Sequence, residues 1–492
     1  ISNDGGTEAA SFSVSGTTVY LRLQADARAN RYNLLYSTDN RDFTAAGDAF
    51  TMEFGNWKGV RVGLYCYNVR QAAGSVSFDD FTYRHDGPAR RQPMTPQEAI
   101  VSRIATTSFP DRTFTVRLPE KADESLRVIQ QAIDSCSWLG GGTVRVTAGH
   151  YPLNGPLRLK SDVNLHLDEG AYLQFSGRAD DFLPVVLTRW EGTEMYGHSP
   201  MIYAYHANNI AITGSGTIDA QGGKDARRDR RPNRGTGRDR LREMGDKLVP
   251  VQERVFGKGT VLRPSCIQPL GCSRVLIEGV TIKDSPFWTI HPVLCDNVIV
   301  RGVTIDSHFP NNDGCDPEGT SNVLIERCTF RTGDDAIAIK SGRDTDGRSI
   351  GRPSRNIVIR DCIFHSECNG LCIGSEMSGG ASDVYMSNIE IGTVKNALYF
   401  KSNRDRGGYI RRVFVDSITV ERAKGAILRF ETNYFASAGE TTRHSMRTST
   451  SATSRLGRRT TTPCSWTATR CTRYATSAST TSTSARHRTP TT

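Results

Sequence analysis

The sequence predicts an all-β protein: a right-handed parallel β-helix preceded by a β-sandwich module. Three observations carry this. A phrase made of a polar residue, a short β-rich run, a turn and a second β run recurs as DVNLHL, NNIAITGSGTI, SRVLIEGVTI, DNVIVRGVTI, SNVLIERCTF, RNIVIRDCIF, SDVYMSNIEI and RRVFVDSITV. From Val275 through Val298, Val323, Ile357 and Val384 to Val413 its intervals are 23, 25, 34, 27 and 29 residues, too irregular for propeller blades. Long helices do not intervene, which excludes βαβ folds and leucine-rich horseshoes. Each coil can then bury its inward Val, Ile and Leu only by stacking on its neighbours.

Residues 1–86 read as a partial β-sandwich accessory module. Runs at 18–23, 32–37, 60–65 and 76–81 alternate apolar and polar residues between turn residues. The stretches YSTDNRDF and SFDDFTYRH resemble the C-terminal sandwich of some family 43 glycoside hydrolases and related sugar-binding modules. Asp79 and Asp80 are read as structural residues of the last strand. Residues 87–113 form a linker with Pro88, Pro93 and Pro96, in which Thr95 and Glu98 have capping-box spacing around a short helix.

The catalytic domain is expected over 114–436. Leu126, Ile129, Ile133 and Cys136 share one helical face, and Gly140, Gly141 and Gly142 stop that helix before the strand Thr143–Val146. A helix followed by GGGTVRV and GHY resembles the cap on the first coil of pectin-degrading β-helices.

Composition excludes several classes of function. With 37% hydrophobic and 23% charged residues the chain is ordinary soluble protein, and no apolar run approaches the ~18 residues of a spanning helix. The net charge of +10 is misleading, because residues 441–492 hold nine Arg and no acid, leaving the body near neutrality. That tail, with 18 Thr and 9 Ser, cannot bury a core. Residues 437–492 are therefore expected to be a disordered or aberrant end, of the sort a shifted reading frame produces, that cannot cap the last coil. A nucleic-acid role would rest on the tail alone and is set aside. The twelve cysteines lack zinc spacing, and those in apolar runs read as buried thiols. The stretch Lys224–Arg242, with nine basic and three acidic residues, reads as a solvated exposed loop.

Residues one coil apart in a β-helix lie about 4.8 Å from each other, so spacing becomes adjacency. Asp313 precedes Asp334 by 21 residues and Asp335 by 22, which gathers three carboxylates on one face. Neighbouring strand residues point to opposite faces, so Asp334 and Asp335 share a face only if Gly333 introduces a bend. Clustered acids repel, leaving one carboxyl protonated beside ionised ones. Glycoside hydrolysis needs that division: one acid protonates the leaving oxygen, another activates water.

The ordered set NNDGCDP, TGDDAIAIKSG, CNGLCIGSEMSGG and ALYFKSNRDRGGYI resembles glycoside hydrolase family 28, the polygalacturonases and their relatives, over about 114–435. The resemblance implies a general acid at Asp334 and water-preparing acids at Asp313 and Asp335, with Asp316 as structural support. An inverting pair stands roughly 6.5–9.5 Å apart. Where many relatives have Gly-His-Gly this chain has Cys368-Asn369-Gly370, and where they have Arg-Ile-Lys it has Tyr399-Phe400-Lys401. Asn369 cannot titrate. Asn311, Asn369, Tyr399, Lys401, Arg404 and Arg406 are the expected substrate-binding residues, the cations for a uronate carboxylate; a solvated surface is the other reading of the two arginines.

The expected function is inverting hydrolysis of galacturonosidic linkages in pectic polysaccharides or oligosaccharides, by a monomer using no cofactor, no metal, no nucleic acid and no membrane. Exo or oligosaccharide-specific action is preferred. The altered Asn369 and Tyr399 leave room for a branched or rhamnose-containing pectin. A pectate lyase on the same fold, needing calcium and a base, is the first alternative; a non-catalytic pectin-binding protein is the second. Secretion or a periplasmic location is expected, although no export pattern follows Ile1, a start that reads as a fragment of a longer precursor.

Overall fold

The computed structural model describes residues 13, 16–26, 31–51, 94–222, 236–260, 262–435 and 445–447. The chain divides into a unit ending at Met94 and a second beginning at Thr95. The expected strands at 60–65 and 76–81, the prolines at 88 and 93, and most of the tail lie outside the described residues.

In the first unit Tyr20–Asp26 pairs antiparallel with Arg31–Ser37, from Tyr20↔Ser37 to Asp26↔Arg31. Thr44–Ala45 and Phe50–Thr51 add antiparallel to Arg31–Ser37, an arrangement that fits one sheet of a sandwich. The turn in YSTDNRDF is locked by Asp39, whose Oδ1 accepts from Ser37 Oγ and from the amides of Arg41 and Asp42.

The second unit opens on helix α1 (Pro96–Val101), closed by the expected capping box between Thr95 and Glu98. Ile100 and Val101 pack against Ile104, Ile299, Leu324 and Val358 on the outside of the solenoid. Helix α2 (Ser125–Trp138) buries Ile129, Ile133 and Cys136 and covers the first coil. It ends where Gly141 and Gly142 take φ of +96° and +145°. A Cβ at either glycine would meet a backbone oxygen at 2.5 Å, of Asp162 and Arg112 respectively. Only glycine lets the helix turn so tightly into the strand Gly142–Val146.

From there the chain winds as a parallel solenoid. The residues from which the repeat was measured stand in register from coil to coil: Ile210 on Val275, then Val298, Val323, Ile357, Val384 and Val413. The polar residue that opens each phrase has a backbone reason. Asn209, Arg274, Asn297, Asn322, Asn356, Asp383 and Arg412 all adopt φ between 51° and 59°, turning each coil into its strand. Asn and Asp tolerate this left-handed conformation better than other L-residues. Gly279, Gly302, Arg327, Asp361, Asn388 and Ser417 make the second turn the same way. Inside lies one continuous core of stacked Val, Ile, Leu and Phe, with Cys136, Cys266, Cys272, Cys295, Cys315, Cys328 and Cys362 buried as free thiols.

Two expectations change. The second half of the Arg-rich stretch is not loop but helix α3 (Thr236–Asp246). Its Leu241 is buried with Trp190, Phe256 and Phe287, and Met244 packs beside them, so two apolar residues anchor a helix that otherwise carries three arginines and three acids. At the far end the last full coil, Tyr409–Glu431, leaves Ile418, Val420, Ile427, Leu428 and Phe430 only half-buried. Ser445–Arg447 of the tail adds a short parallel strand to Tyr409–Arg411. No helix among the described residues is long and apolar enough to cross a membrane.

Candidate active site

Two successive coils bring the acids together. The bridge Cys315↔Ile337 sets a 22-residue step, which stacks Asp313 over Asp335. The amide of Gly314 donates to the Asp335 carbonyl at 3.0 Å and that of Thr289 to the Asp313 carbonyl at 2.8 Å. The chain bends at Gly333 and Asp334 between the strands Thr329–Thr332 and Ile337–Ile339. Gly333 is required there, since a Cβ would sit 2.6 Å from the Phe309 carbonyl oxygen. Asn312 Oδ1 accepts from the Gly333 amide, and Thr332 Oγ1 and Ser366 Oγ both donate to the Asp334 carbonyl, fixing the bend.

The three carboxyls have different surroundings. Asp334 is part-exposed, accepting the Asn311 amide on Oδ2 at 3.1 Å and the Asp335 amide on Oδ1 at 3.0 Å. Burial, then the negative charge of Asp335, push its pKa up. Asp313 is buried and pushed well above the ordinary range by burial and by Asp334, against the pull of Lys340. Burial alone would raise Asp335 too, but Lys401, Lys340 and the Asn369 amide outweigh it and hold this carboxyl low. The resting site therefore contains one anchored carboxylate and two carboxyls that compete for protons.

Two buried lysines offset these charges. Lys401 Nζ lies 3.3 Å from Asp335 Oδ2, and its ammonium is 5.3 Å from the Tyr399 ring and 5.2 Å from that of Tyr434. Lys340 Nζ lies 3.5 Å from Asp313, 3.4 Å from Glu376 and 4.3 Å from the Trp288 ring. Glu376 is held far below its usual value: Lys340, Arg343 and Arg406 outweigh the opposing effect of burial. Asp316 is fully buried, without a hydrogen-bond partner among the described residues, and pushed well up by burial and Asp313.

The expected substrate-binding residues divide. Lys401 and Asn311 stand at the acids, and Asn311 Oδ1 is oriented by Arg263 at 2.9 Å. Tyr399 is buried beneath Lys401, its hydroxyl donating to Glu431 Oε2 at 2.5 Å. Arg404 is exposed. Asn369 and Arg406 do not face substrate. Asn369 is 1% exposed, donating to Asp335 and accepting from Asn396. Arg406 is 2% exposed, donating to the Ser375 carbonyl and to Asp344, so its charge braces helix α4 (Asp344–Ile350). Lys340, Glu376 and Asn396 were not expected. Lys340 is in register with Glu318 of the preceding coil, a pairing of opposite charges that the repeat alignment could have exposed.

One oxygen each of Asp334 and Asp335 and the Cys368 sulfur lie within 4.8 Å of one another. Burial and the two aspartates keep that thiol protonated, which makes it a poor metal ligand, and Lys401 already supplies a cation at Asp335.

The model of glycosyl hydrolases family 28 matches residues 147–451, which include every residue of this site. The chain belongs to glycosyl hydrolases family 28. The crystal structure of a hyperthermoactive exopolygalacturonase from Thermotoga maritima superposes with a TM-score of 0.66 at 38% identity, covering 72% of this chain and 84% of that one. A probable polygalacturonase of Vitis vinifera is 30% identical over 58% of this chain and 55% of its own length. An endo-polygalacturonase of Pectobacterium carotovorum is 27% identical over 67% of this chain and 80% of its own. Residues 2–84 match the beta xylosidase C-terminal concanavalin A-like domain, as the sequence expected of the first unit. The expected family 28 glycosidase on a parallel β-helix is thus borne out.

Proposed function

We propose that this family 28 chain cuts galacturonosidic linkages in pectic chains by single displacement with inversion, removing residues from chain ends. In this reading Asp334 gives its proton to the leaving oxygen; it is the most accessible of the three carboxyls and has a raised pKa. Asp335, held ionised by Lys401, orders the attacking water together with Asp313, which loses its proton when Asp334 holds one. Lys401 also meets the uronate carboxylate. The observation that carries the reading is the one-coil stacking of Asp313 on Asp335 with Asp334 turned out beside them. Exo action is supported by the likeness to the Thermotoga exopolygalacturonase.

Digestion of polygalacturonate tests it. Reducing ends should appear as monouronate from the outset, without the absorbance of an unsaturated uronide. A ladder of intermediate sizes would replace exo by endo action. Unsaturated product would make the enzyme a lyase, and binding without turnover would leave a pectin-binding protein.

A further inference from the structure

The residue that stands where many relatives carry histidine is the first of two stacked amides. Asn369 Nδ2 donates to Asp335 Oδ1 at 2.5 Å, Asn396 Nδ2 donates to Asn369 Oδ1 at 2.6 Å, and the backbone amide of Ala426 donates to Asn396 Oδ1 at 3.1 Å. The three are in register on consecutive coils, Asn369↔Asn396↔Ala426. Both side chains are buried, Asn369 at 1% and Asn396 at 0% exposure.

An amide has a donor end and an acceptor end, and which end faces which neighbour is decided by the partners. Here the partners decide it from one terminus. A backbone N–H can only donate, so Asn396 must turn its oxygen to Ala426 and its NH2 to Asn369. Asn369 must then accept on Oδ1, which turns its own NH2 to Asp335. Reversing either amide would leave two oxygens facing each other, or two donors, in a place closed to solvent.

We propose that Asn396 is a positioning residue, which fixes the polarity of the Asn369 amide so that its NH2 faces Asp335 and keeps that carboxylate an acceptor. The ladder thereby supplies by geometry a donor toward the acids that histidine supplies only in the right tautomer. Asp335 is faced also by Asp313, Asp334 and Asp316, by the ammonium groups of Lys340 and Lys401, and by the thiols of Cys368 and Cys372. The proposal concerns the one donor among these neighbours whose direction depends on a residue two coils away.

The rest of the solenoid provides a control. Asn356 Nδ2 donates to Asn322 Oδ1 at 2.9 Å, and Asn322 Nδ2 to Asp296 Oδ1 at 2.9 Å, an amide ladder of the same design away from the acids. Asn396→Leu keeps the branching at Cγ and removes the donor, and Asn356→Asp removes the donor of the control ladder with a residue that tolerates the left-handed backbone there. Titration of aspartate carboxyls by carbon-13 NMR, with Asp335 assigned through Asp335→Asn, should show the Asp335 midpoint rising by about one pH unit in Asn396→Leu. It should not move in Asn356→Asp. The acid limb of kcat/KM should rise with it, while KM changes little. Asn396→Asp, which reverses the ladder by accepting at both ends, should move both further. An unmoved midpoint and acid limb in folded Asn396→Leu would overturn the proposal. Its functional side rests on Asp335 acting as a base. Should Asp335→Asn remain active, that reading falls, and the NMR midpoint still decides the role of Asn396.

Discussion

Lys401 and Asp335 are 66 residues apart in sequence and 3.3 Å apart in space, joined across two turns of the solenoid in a site almost closed to water. Burial would strip the lysine of its proton, yet Asp335 holds the ammonium well above its ordinary pKa. The same pair holds Asp335 below its own. In Lys401→Met the carboxyl loses its largest counter-charge, its pKa rises, and the acid limb of kcat/KM moves to higher pH. Affinity for uronate-containing fragments should fall about tenfold or more, and for esterified ones less. Measuring both limbs and both substrates checks this; equal losses on charged and neutral fragments would show that Lys401 serves packing alone.

Asp334→Asn, Asp313→Asn and Asp335→Asn should each lose on the order of 10²–10⁴-fold in turnover with the solenoid intact by circular dichroism. A near wild-type rate in any one of them removes that residue from the mechanism. Added chelator should change nothing in the wild type.

Gly333→Ala tests the bend. The new methyl would press on the Phe309 carbonyl and the His308 backbone at 2.6–2.8 Å, and main chain cannot swing aside as a flexible side chain can. The expected result is a large fall in kcat accompanied by a lower Tm, because the displaced bend carries Asp334 with it. Retained kcat would show that both acids reach the substrate face without it.

Glu376 links stability to pH. Its folded pKa lies below the value of 4.5 it has when unperturbed. Its contribution is therefore complete above about pH 4.5 and is lost as pH falls toward the folded value. Glu376→Gln leaves Lys340 and Arg343 without their shared carboxylate and should cost about 3–5 kcal/mol at pH 7. Denaturant titrations should show the gap from wild type narrowing below pH 4.5. A gap of the same size at pH 3 would mean that Glu376 is not the acid-sensitive element.

How far the sequence could be read depends on whether a feature repeats. The solenoid was legible because Asn297, Asn322 and Asn356 must each turn the backbone left-handed, and that need writes a polar residue, most often Asn, before each of these strands. Asp313 and Asp335 were legible because their spacing equals one coil. Features that depend on side-chain reach were hidden. Arg406 read as a ligand for uronate, but only the fold shows Asp344 and the Ser375 carbonyl closing on its guanidinium. Helix α3 was hidden by its charge, which masked the pair Leu241 and Met244. Asn396 sits in a run that reads as strand, and its role appears only when its oxygen is seen to face the Ala426 amide.

The most direct test of the central claim is a proton NMR time course of galacturonan digestion by the wild-type chain. Acid–base hydrolysis by Asp334 with a water held at Asp335 and Asp313 predicts that the first reducing ends carry the anomeric configuration opposite to the linkage cut, equilibrating only later. First-formed product with the retained configuration, or a vinyl proton from an unsaturated uronide, would contradict it.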